Sequence, residues 1–187
     1  VRLWRVLPLD ERANDTEPGG ALWFPREQQG VGRHDNPELY GCLYVSEEPI
    51  SAIAEQLSPF RGTGALLPSM LVRFGLPVAI AGLELPDVAK VVDLDDPVAL
   101  HSEGLRPSQV ATRRRTVTQI QAAEMHAAHA DAIAIRWWST LEASWINWTL
   151  FERAAGELEL AELAKLRIDD ALVLEAADFL GLGMSRR

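Results

Sequence analysis

The chain has 187 residues, 48% of them apolar and 24% charged, the balance of a folded domain with a hydrophobic core and not of a disordered chain. Its 27 acidic residues against 18 basic ones give a formal charge of −9, which argues against nucleic acid as the main partner, since such proteins gather affinity from Lys and Arg on phosphates. No stretch approaches the roughly 20 apolar residues that a membrane span needs, and Val1-Arg2-Leu3-Trp4-Arg5 holds no run like the apolar core of a signal peptide.

In chain order, residues 2–7 alternate as a strand does. A polar surface loop over 10–20 ends in Glu17-Pro18-Gly19-Gly20. A second irregular stretch, Gly30 to Pro37, combines glycines with a turn-forming Asp35-Asn36-Pro37. Gly41 to Val45 reads as a short strand. Ser46 follows as the expected N-cap of a helix, with Glu47 and Glu48 in its first turn. Ile50, Ile53, Ala54 and Leu57 give that helix one apolar face, and Ser58-Pro59 ends it.

Residues 66–95 are rich in Leu, Val and Ile, with breakers at Pro68, Gly75, Pro77, Gly82 and Pro86, so several short strands are expected. Residues 93–108 read as loop with one short helix near 97–101, and 117–130 as a helix. Residues 132–138 form a strand, and 146–151 and 156–160 add two more. Asp169 caps a last helix to about Leu180, closed by Gly181 and Gly183. With no repeat, low-complexity block or linker, the expectation is one α+β domain over 1–187, a compact mixed β-sheet core with flanking helices. The sequence begins without Met, so a removed leader stays open.

Most polar clusters have ordinary explanations. His126 and His129 lack a third ligand for zinc and are expected as solvated helix residues. Asp93-Leu94-Asp95-Asp96 lacks the spacing of a calcium loop and reads as turn and cap. Arg113-Arg114-Arg115 and Arg186-Arg187 read as solvated charge. Cys42 is the only cysteine: it leaves no disulfide or Cys-based metal site, is expected as a small buried apolar residue, and suits the cytoplasm. Trp137, Trp138, Trp145 and Trp148 are packing material. No Gly-x-Ser-x-Gly elbow, His-Glu-x-x-His pair, P-loop or Gly-x-Gly-x-x-Gly fingerprint occurs.

Glu55 lies about 200° around its helix from Ile53, off the apolar face. Tyr44 faces opposite to Leu43 and Val45. Arg33 sits in the Gly-rich loop, and Ser139 follows the 132–138 strand. Each alone reads as a surface, core-edge, loop or turn residue.

Together, Gly-x-Gly-Arg33-x-Asp-Asn-Pro, Leu-Tyr44-Val-Ser and Ala-Ile-Ala-Glu55 closely resemble the signature of RES-domain proteins, a family named for Arg, Glu and Ser. The Arg33–Tyr44 and Tyr44–Glu55 spacings are each 11 residues, as the family pattern expects. Leu3-Trp4-Arg5-Val6 is similar to the family's first strand, Ala134-Ile135-Arg136-Trp137-Trp138-Ser139 to its Ser element, and the helix over 169–180 to its C-terminal end. Three departures stand out. His34 replaces a usual Trp or Phe, Asp35 precedes the expected Asn36, and Ala132 stands where glycine is common.

The resemblance implies a fold similar to the ADP-ribosyltransferase toxins and an NAD⁺-degrading toxin of a type II toxin–antitoxin system. NAD⁺ is then substrate, with no further cofactor and no metal. By the same resemblance Glu55 stabilises the oxocarbenium-like transition state, and Arg33, with Arg5 second, binds the pyrophosphate. Tyr44 packs on nicotinamide with its ring and hydroxyl, and Ser139 bonds the carboxamide or a ribose hydroxyl. The acceptor stays open between water (a glycohydrolase), phosphate (a phosphorylase) and a protein side chain (a mono-ADP-ribosyltransferase). A catalytically silent binding domain is the rival reading. The implied partner is an Xre-type helix-turn-helix antitoxin, with no direct nucleic-acid or membrane contact and homo-oligomerisation left open.

Overall fold

The computed structural model describes residues 1–87 and 89–184; Arg186 and Arg187 lie outside the described residues. In chain order the elements are β1 (Arg2–Pro8), β2 (Cys42–Ser46), α1 (Pro49–Leu57), β3 (Ala65–Leu66), β4 (Val72–Arg73), β5 (Leu76–Glu84), β6 (Val91–Asp93), α2 (Pro97–Ser102), α3 (Pro107–Val110), α4 (Arg115–Ala128), β7 (Ala134–Trp138), β8 (Ile146–Phe151), β9 (Glu159–Lys165), α5 (Ala171–Phe179) and β10 (Gly183–Met184). Helices combined with both parallel and antiparallel strands make this an α+β fold. Among the described residues, no helix is long and apolar enough to cross a membrane.

Contacts divide the chain into two compact units. The first comprises Val1, Phe24–Val45 and Leu85–Leu158. Here β7 lies between β8, antiparallel with Ala134 opposite Leu150, and β6, parallel with Val91 opposite Ala134. Every residue of β8 is buried, and a strand covered on both faces has no polar alternation. Tyr40, Cys42, Ile135, Trp137 and Phe151 form its core with Ala122 and Met125 of α4.

The second unit comprises, among the described residues, Arg2–Trp23, Ser46–Glu84 and residues 159–184. β5 pairs antiparallel with β1, with β9 and, through a tight hairpin, with β4. Alternation along β1 buries Leu3, Arg5 and Leu7, and α1 packs against β1 and α5.

Several boundaries differ from the sequence-based expectation. Ser46 ends β2 and pairs with Trp4 instead of capping α1; Pro49, with φ preset and no N–H to lose, opens that helix. Glu47 and Glu48 therefore precede the helix. Pro77 and Gly82 lie inside β5 and do not break it. A Cβ at Gly82 would come within 2.9 Å of Glu162 Cγ, so the exposed Glu162 side chain would have to shift. The strand expected at 156–160 begins instead as a 3-10 turn over Glu152–Glu157, and β9 follows. Asp170, not Asp169, precedes α5. Gly181, at φ +71°, closes that helix: its N–H bonds Asp178 O, and Leu182 N–H bonds Ala177 O.

Candidate functional site

In the first unit the loop from Gly30 to Asn36 is shaped by its own short side chains. Gly30 adopts φ +144°, a region glycine favours. Gly32 leaves no space for a side chain: a Cβ would lie 2.5 Å from Asp35 Oδ1 and 2.6 Å from the Tyr44 hydroxyl. The Gly30 and Gly32 N–H groups donate to Asp35 Oδ2 at 2.8 and 2.6 Å. From α4, Gln119 Nε2 donates to the Gly30 and Gly32 carbonyls at 3.1 and 2.9 Å, and Thr118 Oγ1 donates to Arg33 O at 2.5 Å. Asn36 Nδ2 closes the far end, donating to Tyr40 Oη at 2.8 Å and Gln119 O at 2.9 Å. These bonds pair the polar groups around Arg33, His34 and Asp35, which lets those three residues lie buried in an irregular loop.

Arg33 is only 4% exposed. Its Nη1 donates to Val110 O at 2.8 Å, at the end of α3, and to Thr112 O at 2.9 Å, in the connection to α4. Its guanidinium carbon stands 4.8 Å from the centre of the Trp137 ring, a cation–π arrangement.

His34 turns out to fill an aromatic place with an aromatic ring. It is buried and meets Trp137 edge-to-face at 5.3 Å. Its Nδ1 lies 2.7 Å from Thr149 Oγ1. Thr149 Oγ1 also accepts the Trp137 indole N–H at 3.2 Å. Burial, then the charges of Arg33 and Arg115, lowers the His34 pKa to about 3. The ring therefore stays neutral and apolar in character, as the usual Trp or Phe would be.

This makes stability pH-dependent with a definite sign. The unfolded imidazole takes a proton below its ordinary 6.5, while the folded one resists until about 3. Stability is thus fully present above 6.5 and falls through the interval down to about 3. Between about pH 7 and about pH 5, this one group removes about 2 kcal/mol. Urea unfolding at both pH values should show that loss in the wild type and a smaller one in His34→Phe.

Tyr44 points outward from β2, as the alternation expects: Leu43 and Val45 are buried, and Tyr44 is 36% exposed. Its hydroxyl reaches back into the loop, donating to Asp35 Oδ1 at 2.7 Å and accepting His34 N–H at 2.8 Å. Burial of that oxygen, then the nearby Cys42 and Asp35, raises its pKa well above the phenol range. Cys42 is buried, and burial pushes its thiol up as well. Ser139 follows β7 and is buried; its N–H donates to Trp145 O at 2.7 Å, and its Oγ accepts Leu141 N–H at 3.1 Å.

Glu55 and Arg5 belong to the second unit. Glu55 lies on α1, half-buried, beside the face formed by Ser51, Ala52, Ile53, Ala54 and Leu57. Arg5 is buried with Leu3 and Leu7, and its Nη1 donates to Gly20 O at 3.4 Å and to Ala21 O, tying the 10–21 loop to β1. Burial and the like charge of Arg73 lower its pKa.

The first unit thus brings Arg33 and Tyr44 together through His34 and Asp35, with Trp137 as the ring beneath Arg33. Sequence reasoning missed Asp35, Thr149 and the α4 pair Thr118–Gln119. The signal for Asp35 was its place three residues after Gly32, where an Asx side chain reaches back to loop amides. The helix histidines also differ from expectation. His126 packs on Tyr40 at 4.4 Å and on Phe151 at 4.8 Å, and His129 bonds Glu103 at 2.8 Å. Among the described residues, no His, Cys, Asp and Glu group could hold a metal ion.

A family model described as RES domain matches residues 2–170. No curated protein matches the chain.

Proposed function

Because this chain belongs to the RES-domain family, which is associated with toxin–antitoxin systems and NAD-related activity, we propose that it is an NAD⁺-degrading toxin that cleaves the nicotinamide–ribose bond. The observation that carries the reading is the loop itself, which holds a buried Arg33 beside the exposed ring of Tyr44. A planar cation suits a pyrophosphate, and a flat ring suits nicotinamide.

The bond that breaks is the C–N bond of the anomeric carbon, whose electron pair leaves with neutral nicotinamide. The ribose then carries oxocarbenium-like positive charge, as in glycoside cleavage. The Glu55 carboxylate is assigned to stabilise that charge. Arg33 offers positive charge to the pyrophosphate. Arg5 is the second such cation, although its Nη1 is engaged with loop carbonyls. Ser139 is assigned to the carboxamide or a ribose hydroxyl. Water or phosphate then takes up the ADP-ribosyl group, as in a glycohydrolase or phosphorylase. NAD⁺ is the substrate in this reaction, and an Xre-type antitoxin in the cytoplasm is the proposed partner that restrains it.

The test is incubation with NAD⁺, with and without phosphate, followed by separate assays for nicotinamide, ADP-ribose and phosphorylated ADP-ribose. Free nicotinamide with either small product is expected. Labelled protein bands would point to a transferase instead, and no turnover in either buffer would overturn the proposal.

A further inference from the structure

We propose that Asp35 is the positioning residue of this site, a buried carboxylate that fixes the Tyr44 ring and the Arg33 loop without touching substrate. Its part towards substrate rests on the NAD⁺ reading; its part towards Tyr44 does not.

Four donors converge on the two oxygens. Oδ2 accepts the N–H groups of Gly30 and Gly32 at 2.8 and 2.6 Å. Oδ1 accepts the Tyr44 hydroxyl at 2.7 Å and lies 3.6 Å from Cys42 Sγ. A buried carboxylate is costly unless its lone pairs are met, and here each oxygen has two donors. The one side chain therefore joins the start of the Arg33 loop to two positions of β2. Gly32 is required by the same closeness, since a Cβ there would overlap both Asp35 Oδ1 and the Tyr44 hydroxyl.

This geometry changes what Tyr44 can do. A phenol has one proton, and Tyr44 gives it to Asp35 while accepting His34 N–H. No proton remains for a ligand hydrogen bond. Tyr44 meets a ligand with its exposed ring face, and its hydroxyl is a latch that sets the angle of that face. The amide of Asn could not serve in place of Asp35. With its oxygen towards the glycine N–H groups, Nδ2 can only donate towards the Tyr44 oxygen, and the Tyr44 proton loses its acceptor. Reversed, Nδ2 would face both glycine donors.

The experiment uses Asp35→Asn, Tyr44→Phe and the double variant, read in two ways. In nicotinamide release from NAD⁺, each single variant should raise KM roughly tenfold with kcat kept within about threefold. The double variant should be no worse than the more affected single one, because both changes open the same latch. Effects that multiply would overturn the proposal, and so would a collapse of kcat in Tyr44→Phe, which would put the hydroxyl in the chemistry.

The second readout needs no substrate. The chain has two tyrosines, so the tyrosinate absorbance transition lost in Tyr44→Phe belongs to Tyr44. The Asp35 charge and hydrogen bond both push the Tyr44 phenol up, so the transition should move to lower pH in Asp35→Asn. An unmoved transition overturns the positioning role. A moved transition in a chain that releases no nicotinamide keeps that role and removes the NAD⁺ reading. Should Asp35→Asn fail to fold, Tyr44→Phe carries the kinetic test alone: raised KM with kcat kept supports the latch, and lost kcat overturns it.

Discussion

Glu55→Gln is expected to lower kcat for nicotinamide release by roughly a hundred- to a thousandfold, while the chain stays folded. The exchange keeps the size and helix propensity of the side chain and removes its charge. α1 is built by the burial of Ser51, Ala52, Ile53, Ala54 and Leu57, with Pro49 at its start. None of these terms depends on the charge of Glu55. Ground-state affinity for NAD⁺ should change little, because the substrate's ribose carries no oxocarbenium charge until the bond stretches. Loss in kcat with little change in KM is the signature of an interaction made only in the transition state. Steady-state kinetics together with a melting curve would show it. Wild-type turnover in Glu55→Gln would remove Glu55 from the mechanism.

How much of this was readable beforehand depends on the range of the interactions involved. The outward Tyr44 of β2 and the off-face Glu55 of α1 follow from the periods of strand and helix, which are local properties. β9 was not readable in this way: Glu159-Leu160-Ala161-Glu162-Leu163-Ala164-Lys165 suits a helix as well as a strand, and most of it is exposed. Its pairing with β5 decides the matter, with Ile80 opposite Ala164 and Glu84 opposite Glu159. Pro77 and Gly82 misled in the same way, because a nine-residue β5 held by β1 tolerates both. The Asp35 hub joins positions 30, 32, 42 and 44 across a loop and a strand. Spacing ties Gly32 to Asp35 and alternation puts Cys42 and Tyr44 on one strand face, but no local rule sets the loop against β2. The apparent oddity of His34 disappears only when Trp137 and Thr149 stand around it.

Arg33 offers the sharpest separation between holding the fold and holding a ligand. Arg33→Ala is expected to cost about 2–4 kcal/mol of stability, the range for breaking a buried hydrogen-bonded network. The Val110 and Thr112 carbonyls would each lose a charged donor, at about 1–3 kcal/mol for the buried Val110 carbonyl and less for the part-buried Thr112 one. The cation over Trp137 would go as well, worth about 2 kcal/mol where desolvated. These terms overlap, because one relaxation of the 110–112 segment relieves several of them, so they do not add. Arg33→Lys then separates the two roles. An ammonium can donate to both carbonyls and so recover much of the stability. It cannot stack as a plane on Trp137 or present a fork to a pyrophosphate. Urea unfolding of Arg33→Lys should therefore lie nearer the wild type than that of Arg33→Ala. Its KM for NAD⁺ should still rise by roughly tenfold or more. If Arg33→Lys instead regains affinity in step with stability, the guanidinium shape is used only to hold the α3–α4 connection. The pyrophosphate must then be met by another cation.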